Sequence, residues 1–545
     1  MDFAIPEIPG RLVDSAQELK EMLRQRVPTD ALVVENAVSE FEENVAQLQA
    51  DIHKHKVALA LLESKLDWME RSVEAGRSLL APIRRVPVEI LGRIFSLCCN
   101  GPSEFDLAEF AGKGKRPMPV VLAVVCLAWR DAAVSMSSLW SDLRYIFDSL
   151  HYSSSESAHQ RRMEHGERLL RITDMFLRRA GNSRLSLSFE GSLRHITPPI
   201  GRILSLLCHR SDQWGSVNFA VPKLTEESSF QVAGGSLTRL HTIQMREFHN
   251  NDPSTLPVDL LSPFPALRHA KLWLSLERQN GALPAIPWHQ LDSLFLATRD
   301  RAPTASQILP LCSNLTQLQL SIGSSFPLDE NQFPRRIILP TVRKLAIHEL
   351  DMRSASPFLL QLVLPNLTSF HLGDLGTFVE EDLLVRLIDP FLQQLPKTVT
   401  ALSFGPSLSP HHASRVLRNL PQLTSVRLCK GQLEAGSEGR RIFRALIFST
   451  SSGSFLPHLL HVNISSPSYI FHPELRNELV EAARLRCTPK AGMGVNRLRS
   501  VKLELLDNPE DFQERFAQLE SLRDVGLEVW ISTLLAQETS ADEWW

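Results

Sequence analysis

Over 545 residues the chain carries seven cysteines and three tyrosines. The cysteines (98, 99, 126, 208, 312, 429 and 487) form no C-x-x-C pair, which excludes a disulfide framework and reads as reduced thiols. No long apolar run is present: the strongest, Val120 to Trp129, is ten residues, about half of a membrane span. The N-terminus, Met-Asp-Phe-Ala-Ile-Pro, has neither a basic nor an apolar region of the secretory kind. The sequons at Asn314, Asn366 and Asn463 are therefore expected to stay unmodified, and the chain is expected in the cytoplasm and/or nucleus. Excess charge of one sign is missing too. With 58 Lys+Arg against 61 Asp+Glu the net charge is −3, so no global field draws in nucleic acid or an anionic membrane.

Catalytic patterns are also missing. There is no G-x-S-x-G, no G-x-x-x-x-G-K-[ST] and no H-E-x-x-H. Gly112-Lys113-Gly114 and Gly492-Met493-Gly494 each lack a third glycine. His411-His412 has no further ligand at metal spacing, and Cys98-Cys99 is expected only to pack. No catalytic residue, metal or cofactor is expected, and the chain is not read as an enzyme.

What is present begins with a heptad. Val34, Val38, Phe41, Val45, Leu48, Ile52, His55, Leu59, Leu62, Leu66, Met69 and Val73 follow steps of four and three, the seam of a coiled coil. Pro28-Thr29 and Gly76 bound the predicted helix. A stripe this long needs a cover, and Leu12, Ala16, Leu19 and Leu23 are too few to supply all of it. A homodimer through 34–73 and docking against the rest of the chain both remain open.

Leu79 to Leu143 is denser. Pro87 suits a first helical position, and the apolar residues at 90, 91, 94, 95, 97 and 98 are too many for one surface. A polar loop from Asn100 to Pro119 precedes a second helix, Val120 to Arg130, that is apolar all round. So small a unit cannot bury both helices alone, and a partner protein is expected. The order P-x-x-x-V-P-x-E-I-L-x-x-I-F, then V-C-x-x-W-R and L-W, resembles the F-box in the version common in mushroom-forming fungi. The resemblance covers 79–145, with Val86 where Leu is usual and a longer loop than in compact F-boxes. It implies docking to a Skp-type adaptor and, through it, a cullin. By that pattern Pro87, Ile90, Leu91, Ile94, Phe95, Val125, Cys126, Trp129, Leu139 and Trp140 are shared between the F-box core and the adaptor.

Beyond a linker and helix (146–183), one pattern recurs over 184–533: apolar-x-x-apolar-x-apolar. Its middle residues are Val217, Ile243, Ala270, Leu294, Leu318, Leu345, Phe370, Leu402, Val426, Val462, Val501 and Val525, and eight of the eleven spacings fall between 24 and 27. Leu-Pro turns lead into several strands. The array resembles leucine-rich repeats, without the Asn that often follows the strand, so an irregular solenoid is expected rather than an even horseshoe. A tail occupies 534–545. The fold class is thus α plus α/β repeat: a long coiled-coil helix (1–76), a small helical F-box (79–145) and the solenoid.

Strand alternation turns the second, fourth and sixth residues after each triplet start to one face. That face gathers Arg246, Lys271, Lys344, Arg427 and Lys502, the acids Glu504, Asp524 and Glu528, and His269, His348, His371 and His461. Trp273 and Phe295 are predicted to sit side by side. Arg246, Lys271, Trp273, Phe295, Lys344 and Arg427 are therefore the candidate substrate-binding residues, suited to an acidic or phosphorylated segment. The resulting expectation is the substrate-recognition subunit of an SCF-type cullin ubiquitin ligase. The alternative is a non-degradative interaction scaffold built from the same modules.

Overall fold

A computed structural model describes residues 31–99, 101, 103–106, 116–147, 156–191, 198–220, 237–246, 264–274, 286–298, 302–322, 336–350, 358–374, 389–405, 410–429, 442–445, 455–466, 473–489, 494–505 and 512–533, with Leu433 and a few residues between 17 and 24. Two compact units, 1–91 and 92–545, are described separately.

The first unit is dominated by one helix, α1, Ala31–Leu80. At ~1.5 Å per residue its 50 residues extend about 75 Å. It continues through Gly76, the predicted stop. A single helical glycine costs only about 1 kcal/mol relative to Ala. The stop is instead Pro82, which removes an N–H and forces Ala81 to an extended ψ of 130°. Arg84 then donates to the Ser78 carbonyl at 2.7 Å, meeting a carbonyl that the helix end leaves open. The heptad seam lies on the surface: Val38, Val45, Leu48, Ile52, Leu59, Leu62, Leu66, Met69 and Val73 are each 44–58% exposed.

Helix α2, Val88–Cys98, leads into the second unit. The predicted helix over 120–130 is two: α3, Met118–Ala123, and α4, Leu127–Ser135. Between them Cys126 is fully extended (φ −159°, ψ 172°). The β-branched pair Val124-Val125 precedes it, residues that gain little from a helical backbone. The helix expected near 169–179 is longer, α5, Glu156–Ala180, and takes in part of the presumed linker.

Among the described residues fifteen strands form one sheet, all parallel and in sequence order, with two short strands outside it. Its members are β1 Ser103–Asp106, β2 Asp142–Phe147, β3 Leu185–Gly191, β4 Trp214–Ala220, β5 Thr242–Arg246, β6 His269–Leu274, β7 Ser293–Thr298, β8 Gln317–Ile322, β10 Lys344–Leu350, β12 Ser369–Asp374, β13 Ala401–Phe404, β14 Ser425–Cys429, β15 His461–Ser466, β16 Ser500–Leu505 and β17 Glu528–Thr533. The short pair β9 (Ile337–Ile338) and β11 (Leu362–Val363) forms its own ribbon. The sheet therefore starts upstream of residue 184, and its first strand lies in the expected polar loop.

The predicted repeat is a physical register. Val217, Ile243, Ala270, Leu294, Leu318, Leu345, Phe370, Leu402, Val426, Val462 and Val501 are successive partners across eleven strands. The twelfth is displaced: Val501 pairs with Val529, while Val525 closes a 3-10 turn over 521–525. Asp524 consequently leaves the strand face. Triplet residues such as Leu315, Leu318 and Leu320 are fully buried, each stabilising by roughly 2 kcal/mol. Among the described residues the connecting segments are uneven: helices over 156–180, 198–208, 302–308, 410–419, 473–487 and 512–520, and the short ribbon of β9 and β11.

In place of the absent Asn, neighbouring repeats are tied where each strand begins. The carbonyl of Asp292 accepts from the N–H groups of Thr316 and Gln317, and those of Thr316, Arg343, Thr368 and Thr400 repeat the pattern. Side chains reinforce it. Asn314 and Asn366 donate to the carbonyls of His289 and Pro340, both at 2.8 Å, and Thr368 donates to Arg343 at 3.0 Å. Two of the three sequons are thus turn ties between repeats.

Candidate functional site

Two surfaces could carry function, and they are built differently. The first is the stretch over 79–145. Phe95 and Trp140 are fully buried, and Leu91 and Leu139 nearly so. Phe95 packs on Trp129 with ring centroids 5.0 Å apart. Trp140 donates its indole N–H to the Ala133 carbonyl at 2.8 Å, meets the edge of Phe176 at 4.9 Å, and lies 4.3 Å beneath the Arg179 guanidinium. It anchors the helices over 127–135 and 156–180 to each other, so Leu139 and Trp140 belong to the core. Ile90 is 46% and Val125 57% exposed, and Pro87 is also exposed. Ile94, Cys126 and Trp129 are half-buried. Leu97, Leu80 and Leu127, at 76%, 72% and 71% exposure, are the most open apolar side chains among the described residues of 79–145. The apolar stripe over 90–98 contains Leu97, but the adaptor pattern that the resemblance implies includes none of the three.

The second surface is the polar face of the sheet, where side chains of successive strands touch in one row. At its start Arg144 donates to Glu190 at 2.5 Å, and Ser188 donates to Glu190 at 2.8 Å. Burial favours the neutral acid, but these hydrogen bonds and the charges of Arg144 and Arg246 hold Glu190 below the usual carboxylate range. Asn218 donates to Ser188 at 3.0 Å, and its own carbonyl oxygen is buried without a partner.

The predicted aromatic pair follows. Arg246 stacks over Trp273 at 4.7 Å, and Trp273 lies 4.7 Å from Phe295. Lys271 is opposite Phe295 in the ladder. Lys344 lies on β10 opposite Gln317. Arg246, Trp273 and Phe295 are thus brought together, with Lys271 beside them.

His348 continues the row through a bulge in β10. The register slips between Ile347 and Glu349, so His348 is passed over in the backbone pairing with β8. Its ring returns to Gln319 (2.9 Å), between Phe295 at 5.7 Å and His371 at 5.5 Å. Gly373 makes this possible, because a Cβ there would stand 2.6 Å from the His348 carbonyl oxygen. His371 meets Ser403 at 3.1 Å. Burial, then His348 and Arg427, push its pKa down to about 3, so it is neutral at physiological pH.

At the far end Arg427 donates to Glu504 at 2.6 Å, and Lys502 meets the same carboxylate at 2.5 Å. Arg427 is 15% and Glu504 6% exposed. The Arg427 charge, predicted to greet an acidic partner, is already compensated inside the protein. Past this pair Trp530, opposite Lys502 and 63% exposed, ends the row. The sequence reading missed it because the last triplet was set four residues early. It also missed Arg144, Glu190 and Asn218, whose strands precede or begin the recognised array.

All seven cysteines are free thiols, with those at 208, 312 and 487 buried. Among the described residues no helix is long and apolar enough to cross a membrane, and no group of three or more His, Cys, Asp or Glu is placed to hold a metal.

No protein-family model and no curated protein matches the chain. Among solved structures, a crystal structure of a protein from Bacteroides fragilis is similar at 10% identity over 72% of this chain and 86% of that one, with a TM-score of 0.27. That likeness carries no argument.

Proposed function

We propose that the chain is the substrate-recognition subunit of an SCF-type cullin ubiquitin ligase, acting in the cytoplasm or nucleus. Its F-box-like stretch docks a Skp-type adaptor, and its repeats hold the substrate. The observation that carries the reading is the division within 87–140. Phe95, Leu139 and Trp140 lie in the core, while Pro87, Ile90 and Val125, which the family's pattern shares between core and adaptor, stay exposed. Exposed apolar residues this numerous mark a protein interface.

The substrate site is the patch around Arg246, Trp273 and Phe295, with Lys271 beside it. Aromatic rings flanked by cations suit an extended acidic or phosphorylated segment. The receptor performs no chemistry in this reading. It raises the local concentration of a target beside a ubiquitin-loaded partner enzyme.

The test is co-purification of the whole chain with a Skp-type adaptor, compared with an Ile90→Asp, Val125→Asp variant. Binding by the wild type and its loss in a folded variant supports the reading. Failure of the wild type to bind leaves the non-degradative scaffold.

A further inference from the structure

We propose that α1 pairs with the same helix of a second copy of this chain, parallel and in register. The inference is independent of the ligase reading. Its first ground is exposure: nine apolar seam residues between Val38 and Val73 are about half accessible along one helix. A stripe of this length calls for a partner of equal length and the same period, which a second α1 supplies.

Its second ground is the choice of residues along the seam. Four of the six a positions are β-branched (Val38, Val45, Ile52 and Val73), and Leu48 and Leu62 occupy d positions. β-Branched residues at a with Leu at d favour two parallel strands.

The third ground is charge, which fixes direction. In a parallel pair each g residue faces the e residue five places on in its partner. Asp51 then meets Lys56 and Lys65 meets Glu70, each twice by symmetry, and no like charges meet. A fully overlapped antiparallel pair instead sets Glu63 against Glu42 and Glu70 against Glu35. Opposite charges at these positions select both partner and orientation. His55, a polar d residue opposite its own copy, fixes the register.

The experiment uses the full chain. Light scattering is expected to give twice 61.3 kDa. With Met69→Cys and a short bis-maleimide, digestion is expected to yield a peptide joining residue 69 to residue 69, a link that an antiparallel pair would place far out of reach. Lys56→Glu is expected to weaken the dimer about tenfold by turning two attractions into repulsions, and adding Asp51→Lys to restore it. A monomer, a higher oligomer, cross-links confined within one chain, or a dimer without the 69–69 link overturns the proposal, as does the absence of rescue.

Discussion

Helix α1 and the parallel sheet use the same aliphatic residues to opposite ends. In the sheet, each strand turns its triplet inward, and Leu294, Leu318 and Val342 reach full burial within the chain. In α1, Leu48, Leu62 and Leu66 repeat as regularly and stay exposed. Period decides the difference. A strand that alternates at two can be capped by its own return segment, whereas a seam spaced at three and four from Val34 to Val73 is longer than any other described helix. Hydrophobic regularity alone therefore does not tell a closed core from an open interface. What separates them is whether the chain itself contains a matching surface.

The largest effect should come from the closed region. Trp140→Ala removes a fully buried ring that holds two helices together, and is expected to cost about 3–5 kcal/mol, read as a lowered denaturant midpoint. Glu504→Gln leaves the Arg427 guanidinium largely buried without its counter-charge. A loss of about 2–4 kcal/mol is expected, larger than for Arg427→Met together with Glu504→Leu. Gly373→Ala places a methyl group against the His348 carbonyl, and about 1–3 kcal/mol should be lost with the bulge.

Acid sharpens the comparison. His371 is held at a pKa of about 3 in the folded chain against about 6.5 unfolded. Because the folded pKa is depressed, this site's contribution is fully present above pH 6.5 and is lost as pH falls toward 3. His371→Gln should flatten stability against pH by up to one proton's slope in that window. The smallest effect belongs to the open region: Val125→Asp should move stability by no more than about 0.5 kcal/mol while abolishing adaptor binding, as equilibrium unfolding and co-purification would show.

The repeats were legible because an error of one residue in strand register would expose every triplet at once. Eleven middle residues therefore fell into place. The twelfth failed because Leu522 and Leu527 keep triplet spacing, yet Ser521 to Val525 turn as a 3-10 helix before Gly526 (φ +83°) releases the strand. β2 was hidden for another reason. Trp140, Leu143 and Tyr145 match the repeat pattern, but Trp140 also completes the L-W pair that ends the helical stretch in the sequence. The site was half legible. Alternation alone placed Trp273 beside Phe295 with Arg246 on the same face, but no alternation rule shows that Arg427 reaches Glu504, 77 residues later, or that His348 bulges to lie beside His371.

The central claim is that the open apolar surfaces of residues 31–135 are completed by other chains, while the sheet is complete in itself. Its most direct test is the light-scattering mass of the full chain, alone and with a Skp-type adaptor. The account predicts a pair of chains alone and a complex of two chains with two adaptors. A monomer whose mass does not change on adding adaptor would contradict it.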